Sequence, residues 1–444
     1  MRTGRGLIAR IAAGILAAGL VCLVASPAPA AEGMAGTVSR TRLANGLTVL
    51  VRENPVAPVV AISLQVKMGT RWETSDNAGI SNLLQLMVVR GTTRLNGSQI
   101  VEAADRMGGS IEAVGDADSS EISATALSRH FAEILELVAD VALHPSVPEA
   151  TFEAVRDFLL RQVRNRSDKP YDVALDTLTA KIFGAHPYAW DPIGLKESLG
   201  RIDRDALLAH YRRHYVPGGM VVAISGRVKS REALAQVERL FGSMPGGDAP
   251  AAEPARPPAP APSREARTVP GAQAQIMMGT LAPALTDPDH PAVKVLSTVL
   301  GGGLAGRFFS ELRDKEALAY TTATQYPPRV DLSFFLALLG TAPDNVPKAE
   351  VALREQLARI QREPVSDEEL SVAKANLLGN LEMDRRTNAR QAWYLASFEA
   401  AGVGYEFLDR YVRAVRQVTA ADVARVAQGY LSRLSAVIVE PPTR

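Results

Sequence analysis

Gly79-Ile-Ser-Asn-Leu-Leu-Gln-Leu-Met-Val-Val-Arg-Gly-Thr92 places apolar residues at Ile80, Leu83, Leu84, Met87 and Val88, the spacing of a single helix face. Gly91 stands just past the last turn, where a helix is expected to stop. With no charge inside the stripe, the segment predicts a helix buried against a core rather than one lying on the surface.

Around it, strand and helix patterns alternate. Thr41–Val51 predicts a hairpin, with Asn45 and Gly46 as the two residues at ease with positive φ. Val59–Lys67 is expected as the next strand. After the Gly79 helix come a helix near 98–106 and strands near 110–114 and 119–126. Ser146-Val-Pro-Glu149 has the form of a capping box opening a long helix that contains Gln162. A helix near 204–213, a strand at 220–225 and a helix ending near Phe241 close this first unit. Residues 246–266 are Pro- and Ala-rich around Pro257-Pro-Ala-Pro-Ala-Pro262, which predicts an extended, semi-rigid linker. Residues 267–444 repeat the grammar. Strands are expected at 275–279, 320–326, 332–339 and 435–440, with helices from about Pro291, near Val346, after the Ser366-Asp-Glu-Glu369 capping box and after Thr419. Ile202/Leu207 and Val418/Val423 share one spacing before the two closing helices. The fold class expected is α+β, with domains at 31–245 and 267–444.

The 444 residues are 47% hydrophobic and 22% charged, ordinary for a globular chain of two domains, and the formal net charge is +1. Nothing in that balance suggests nucleic acid or an anionic membrane surface as a partner. Arg2, Arg5 and Arg10, an apolar run from Ile11 to Ala25, and Ala28-Pro-Ala30-Ala31 predict a secretory signal peptide over residues 1–30. The mature chain is therefore expected in the periplasm or outside the cell, free of the membrane after cleavage. A retained anchor is the alternative, but the apolar core is short. The single cysteine, Cys22, falls in this leader, so the mature chain has no disulfide or thiol chemistry.

The Gly79–Thr92 segment resembles the H-x-x-E-H region of the insulinase-like (M16) zinc peptidases, in which Gly-Ile-Ser precedes the first His and a basic residue with Gly-Thr closes the helix. On that pattern Asn82 stands at the first His, Gln85 at the Glu and Leu86 at the second His. The family's remaining zinc ligand is a Glu on a later helix, and the matching position is Gln162 within Val155-Arg-Asp-Phe-Leu-Leu-Arg-Gln162. Two His at i and i+4 hold zinc from one helix face, with the Glu as base for its water. Here neutral amides and a leucine stand instead, and a Gln cannot act as a base. The resemblance extends through the Asn-Gly hairpin, Met107-Gly-Gly109, His186-Pro-Tyr188, His214-Tyr-Val-Pro217, Gly301-Gly-Gly303 and Leu318-Ala-Tyr320. It implies two homologous α/β sandwich units, metallohydrolase-like M16 halves, facing each other as a clam shell, with no zinc held by this chain.

Other motifs weigh less. His210-Tyr-Arg-Arg-His214 has zinc spacing, but two Arg lie between and no Glu is present, so a capping and packing role is expected. The six His (130, 144, 186, 210, 214, 290) offer no other credible pair for an autonomous metal site. Gly301–Gly306 could cradle a phosphate, but Arg307-Phe-Phe follows where Lys-Ser would, which favours close backbone packing. Arg313-Asp-Lys-Glu-Ala-Leu-Ala-Tyr320 is the motif that survives. In M16 peptidases an Arg and a Tyr at this spacing hold the substrate carbonyl, and Arg313 and Tyr320 match. Fixed donors of these types suit an oxygen on which charge develops. Taken without the family, they are an ion-paired helical Arg and a tyrosine packed at a strand start.

The resemblance therefore implies the zinc-less subunit of a heterodimeric metallopeptidase. Its partner would be an H-x-x-E-H-bearing homologue that holds the zinc, and its substrate an extended peptide added to a sheet edge. The alternative is a catalytically silent peptide-binding or scaffold protein of the same fold. The neighbouring reading frame separates the two: an exported homologue with H-x-x-E-H favours the subunit.

Overall fold

The computed structural model describes residues 37–252, 254, 256–257 and 261–442. The expected leader and part of the linker's proline run lie outside these residues. In chain order the first half comprises β1 (Val38–Arg42), β2 (Thr48–Glu53), β3 (Val59–Val66), α1 (Ile80–Val88), α2 (Gly97–Arg106), β4 (Ser110–Gly115), β5 (Ser120–Leu127), α3 (Phe131–Leu143), α4 (Glu149–Ser167), α5 (Pro170–Phe183), α6 (Lys196–Leu199), α7 (Arg204–His214), β6 (Met220–Gly226) and α8 (Ser230–Phe241). The second half comprises β7 (Arg264–Thr268), β8 (Ala274–Ala282), α9 (His290–Gly301), a π-helical segment Phe308–Lys315, β9 (Thr321–Gln325), β10 (Ser333–Thr341), α10 (Val346–Arg362), α11 (Asp367–Asp384), α12 (Asn388–Ala400), α13 (Phe407–Gln417), α14 (Ala420–Tyr430) and β11 (Ser435–Glu440).

Two mixed sheets result, ordered β1-β2-β6-β3-β5-β4 and β7-β11-β8-β10-β9. Without β1 they share one topology. β2 runs parallel to β6 as β7 does to β11, and every other neighbour is antiparallel. The α+β class and the two α/β units expected from the sequence are both present. Alternation sets each sheet's faces: Val60, Ile62, Leu64 and Val66 of β3 join α1, α3 and α4 in one core, and Ile276, Met278, Phe335 and Leu339 join α9 and α10 in the other.

The opposite faces are covered by exchange. α5 packs on β8 and β11 of the second sheet, where Leu178 and Ile182 meet Met277, Leu336, Leu338, Val437 and Val439. Gly279 permits this approach, since a Cβ there would lie 3.0 Å from Leu178 and 3.3 Å from Ile182. Conversely, α12 packs on β3 and β6 of the first sheet, with Ala392, Leu395 and Ala396 against Leu50, Val221 and Ala223. α5 and α12 hold equivalent places in the two halves, so each unit completes its sandwich with the other's helix. Side-chain contacts lock the junction: Arg71 forks onto Asp331 at 2.6 and 2.9 Å, Arg329 reaches Asp116 at 3.0 Å, and Arg52 donates to Gln391 at 2.6 Å.

Several local expectations change. The hairpin turn is a five-residue connection in which Leu43 and Leu47 pair, and among its residues only Gly46 takes positive φ, at 101°. Asn45 instead donates its amide to the Phe241 carbonyl at 2.8 Å. Ser146 does not cap α4. Pro148 occupies the N-cap without a side-chain bond, because the backbone of Ser146 is taken up by Gly91 and Arg204. The box at Ser366 and Glu369 does form. β7 begins inside the stretch read as linker, while residues 250 and 252 are held by the first half: Trp72 donates to the Pro250 carbonyl and Arg71 to that of Ala252.

Candidate functional site

α1 is entered through a constrained turn. Gly79 has φ 93°, and a Cβ there would come within 2.7 Å of the Gly194 Cα, so only glycine fits. The buried Glu73 carboxylate accepts from the Gly79 and Ser81 N–H groups, both at 2.9 Å, and so satisfies the donors of the helix start. Burial pushes its carboxyl above the usual range.

Asn82, Gln85 and Leu86 lie on this helix, and Gln162 lies on α4, which packs against α1. The structure thus brings the two helices of the expected degenerate site together. Gln85 is fully buried and fully engaged: its Nε2 donates to the Glu121 carbonyl of β5 at 2.6 Å, and its Oε1 accepts from the Tyr215 hydroxyl at 2.9 Å. Tyr215 is itself buried, which pushes its phenol well up. Leu86 packs against the first core together with Leu160 and Val163 of α4. Asn82 is half-buried, with the end of β4 so near that a Cβ on Gly115 would lie 2.9 Å from the Asn82 Cα. These positions do not fit a zinc ion. Leu86 presents no donor atom, and the Gln85 amide is consumed by packing partners.

His210 and His214 stack with ring centroids 4.3 Å apart, yet each turns to another partner. His210 Nε2 lies 3.0 Å from Ser81 Oγ, and His214 Nδ1–H donates to the Lys67 carbonyl at 2.9 Å. Burial pulls their pKa values down to about 3 and about 4, which keeps both rings neutral. His210 packs α7 against α1, while His214 ties α7 to Lys67 at the end of β3 and to the Trp72 ring; neither caps a helix end through its side chain.

Arg313 and Tyr320 stand apart from these positions, on the second half. Arg313 is exposed on the π-helical segment, its guanidinium over the Phe309 ring at 5.0 Å from the centroid. Among the described residues no carboxylate lies within ion-pair distance of it, so the ion-paired surface Arg expected in the family's absence is not what the fold contains. Tyr320 is 56% exposed just before β9, where its N–H donates to the Gly340 carbonyl at 2.8 Å. The wide turn between them is closed by the Glu316 N–H on the Glu311 carbonyl and strained at Ala317, which has φ 52°. π-helical turns and positive φ at a non-glycine recur at functional sites. Sequence reasoning reached the pair through its motif. It missed Tyr215, Glu73 and the π-helical backbone, whose partners lie far along the chain or carry no residue pattern.

Comparison with known proteins bears on the family and the fold. Residues 48–191 match the family model described as insulinase (peptidase family M16), and residues 201–377 that described as peptidase M16 inactive domain. The chain is similar to an uncharacterized zinc protease of Mycobacterium tuberculosis, 28% identical over 411 residues covering 92% of this chain and 93% of the relative. It is also similar to the uncharacterized zinc protease YmxG of Bacillus subtilis, 25% identical over 80% of this chain and 86% of that protein. Among solved structures, a peptidase M16 inactive domain from Pseudomonas fluorescens superposes with a TM-score of 0.85 at 23% identity, over 91% of this chain and 98% of that one. A protease from Helicobacter pylori does so with a TM-score of 0.85 at 22% identity, over 91% and 99%.

Proposed function

The chain belongs to the insulinase-like M16 peptidase family, and from that premise we propose that it is the exported, zinc-less subunit of a two-subunit M16-type metallopeptidase. Its partner would be an M16 homologue bearing H-x-x-E-H, which holds the zinc. This chain would supply half of the peptide chamber and the donors Arg313 and Tyr320. The observation that carries the reading is the contrast between the two sets of residues. Of the positions that match the family's zinc site, Gln85 is held by Tyr215 and the Glu121 carbonyl and Leu86 packs on the first core. Arg313 and Tyr320 stay on the surface, without a carboxylate partner among the described residues, and Arg313 sits on the rare π-helical backbone.

Chemically, a guanidinium and a phenol presented to the partner would hold the carbonyl oxygen of a bound peptide and favour the arrangement in which negative charge gathers there. The free outer edge of β4, beside α1, offers main-chain donors and acceptors to which an extended peptide could add. That two curated relatives are named zinc proteases supports a place in proteolysis.

The test is reconstitution. The mature chain alone is expected to hold no stoichiometric zinc by elemental analysis and to cleave no peptide. Mixed with the H-x-x-E-H homologue it should form a complex with one zinc per pair and peptidase activity. One tightly held zinc per isolated chain, or no complex with that homologue, would overturn the proposal.

A further inference from the structure

Past α8 the chain runs back over the first half as a strap without helix or strand. The Gly218 N–H donates to the Gly247 carbonyl at 2.8 Å, the Trp72 indole to that of Pro250 at 2.9 Å and Arg71 to that of Ala252 at 3.3 Å. All three donors take main-chain carbonyls, a mode that holds an extended segment whatever its side chains. The strap fills one side of its groove. Beside it lies a pocket of about 690 Å³, walled by Trp72, Trp190, Pro187 and Leu195 and bounded by Ala251 and Ala252 of the strap. Both tryptophans are half-buried, and the 3₁₀ turns Thr70–Trp72 and Pro187–Ala189 that carry these walls pack on each other. Three charged residues line the pocket. Arg71 is forked onto Asp331, Glu73 is taken up by the start of α1, and the exposed Arg213 has no ion-pair partner among the described residues.

We propose that this groove recognises an extended, proline-containing segment of a partner protein, and that the chain's own strap keeps the place in its absence. The class follows from the lining and from the strap itself. Proline fixes φ at about −65° and removes the backbone N–H, so a proline-containing segment is extended and offers mainly carbonyls. An indole N–H beside aromatic and proline walls meets that chemistry, as it already does at Pro250. The strap sets only the methyls of Ala251 and Ala252 against the pocket, so a segment with bulkier apolar side chains at these places fills what the strap leaves empty. The cation of Arg213 disfavours a basic segment. Because the strap is tethered at both ends, a partner segment competes against a high local concentration. None of this rests on the function proposed above.

The experiment measures binding of a labelled peptide, by fluorescence anisotropy, to the full mature chain and to a variant whose residues 249–252 are replaced by Gly-Ser-Gly-Ser. The peptide copies residues 248–255 with leucine in place of Ala251 and Ala252. It should bind the strap-replaced chain about tenfold or more tightly than wild type, because the strap no longer competes. Putting glycine for both prolines of the peptide, or restoring its two alanines, should each weaken binding about tenfold. In the strap-replaced chain Trp72→Phe should weaken it about fivefold to tenfold, through the lost hydrogen bond. Ala180→Trp, made at an exposed position of α5 that lines the pocket, should fill the space and abolish binding without disturbing the Trp72 donor. Binding no tighter in the strap-replaced chain than in wild type, a glycine peptide that binds as well as the proline one, or indifference to both Trp72→Phe and Ala180→Trp would overturn the groove. A mixed dimer of wild-type and strap-replaced chains would show that the groove takes the strap of a second copy, and would overturn the partner segment.

Discussion

At the scale of single residues, Gln85 decides what the helix around it can become. Its amide donates to one carbonyl and accepts from one hydroxyl, with no water contact. Gln85→Glu would set a carboxylate oxygen against the Glu121 carbonyl, where a donor is required. The expected cost is about 1–3 kcal/mol, seen as a lower urea midpoint with an unchanged slope. A midpoint equal to wild type would show that the Tyr215–Gln85–Glu121 chain does not hold α1. Leu86→His is expected to cost about 2 kcal/mol or more, since a packed apolar side chain becomes polar. The four changes Asn82→His, Gln85→Glu, Leu86→His and Gln162→Glu together should nonetheless make stability zinc-dependent, because a metal that binds only the folded state stabilises it. A folded quadruple variant whose thermal midpoint ignores zinc would refute the assignment of the four positions. The four positions are singled out in the sequence by the resemblance of the framework that surrounds them, and the structure adds that their two helices, α1 and α4, pack together. Tyr215 is not singled out, because the hydroxyl that holds Gln85 is 130 residues away along the chain.

At the scale of elements, the exchanged helices make the two halves depend on each other. Leu178 on α5 and Leu395 on α12 are fully buried against the opposite half's sheet. Leu178→Ala or Leu395→Ala should each cost about 2–5 kcal/mol, and unfolding should remain a single transition by both circular dichroism and tryptophan fluorescence. Fragments 37–245 and 261–444, expressed separately, should lack cooperative unfolding, since each would expose one face of its sheet. Two resolved transitions in the intact chain, or a stable isolated half, would contradict the exchange. Strands and helices with one buried face, such as β11 and α10, declare themselves by period. α5 and α12 went unassigned because they are clamped between their own half and the opposite sheet, which blurs the amphipathic stripe. Nor can a pattern tell which sheet a helix will cover.

At the scale of the whole molecule, acid should open the fold from a definite direction. His210 and His214 have pKa values lowered from 6.5 to about 3 and about 4 by burial, so their contribution is complete above pH 6.5 and is lost as pH falls toward those values. Glu369, held by the Arg307 fork at 2.7 and 3.0 Å, is pulled from 4.5 down to about 2; its contribution is present above 4.5 and is lost as pH falls toward 2. These effects share one sign, the His pair acting below pH 6.5 and Glu369 only below pH 4.5, whereas the raised carboxyl of Glu73 acts oppositely; the thermal midpoint of His214→Gln should therefore fall less than that of the wild type between pH 6.5 and pH 4. An unchanged slope in the variant would show that the stacked pair does not set it.

The claim on which the function turns is that Arg313 and Tyr320 act on a carbonyl at the partner's metal. Its most direct test is kcat and KM of the reconstituted pair carrying Tyr320→Phe, after confirming that assembly and partner-bound zinc are unchanged. The substitution keeps the ring and removes only the hydroxyl. The predicted result is a fall in kcat of roughly 10² to 10³, the loss of about 2.7–4 kcal/mol found when one such donor is removed. Turnover within about threefold of wild type, less than 1 kcal/mol, would contradict it and leave Tyr320 a surface residue of a binding scaffold.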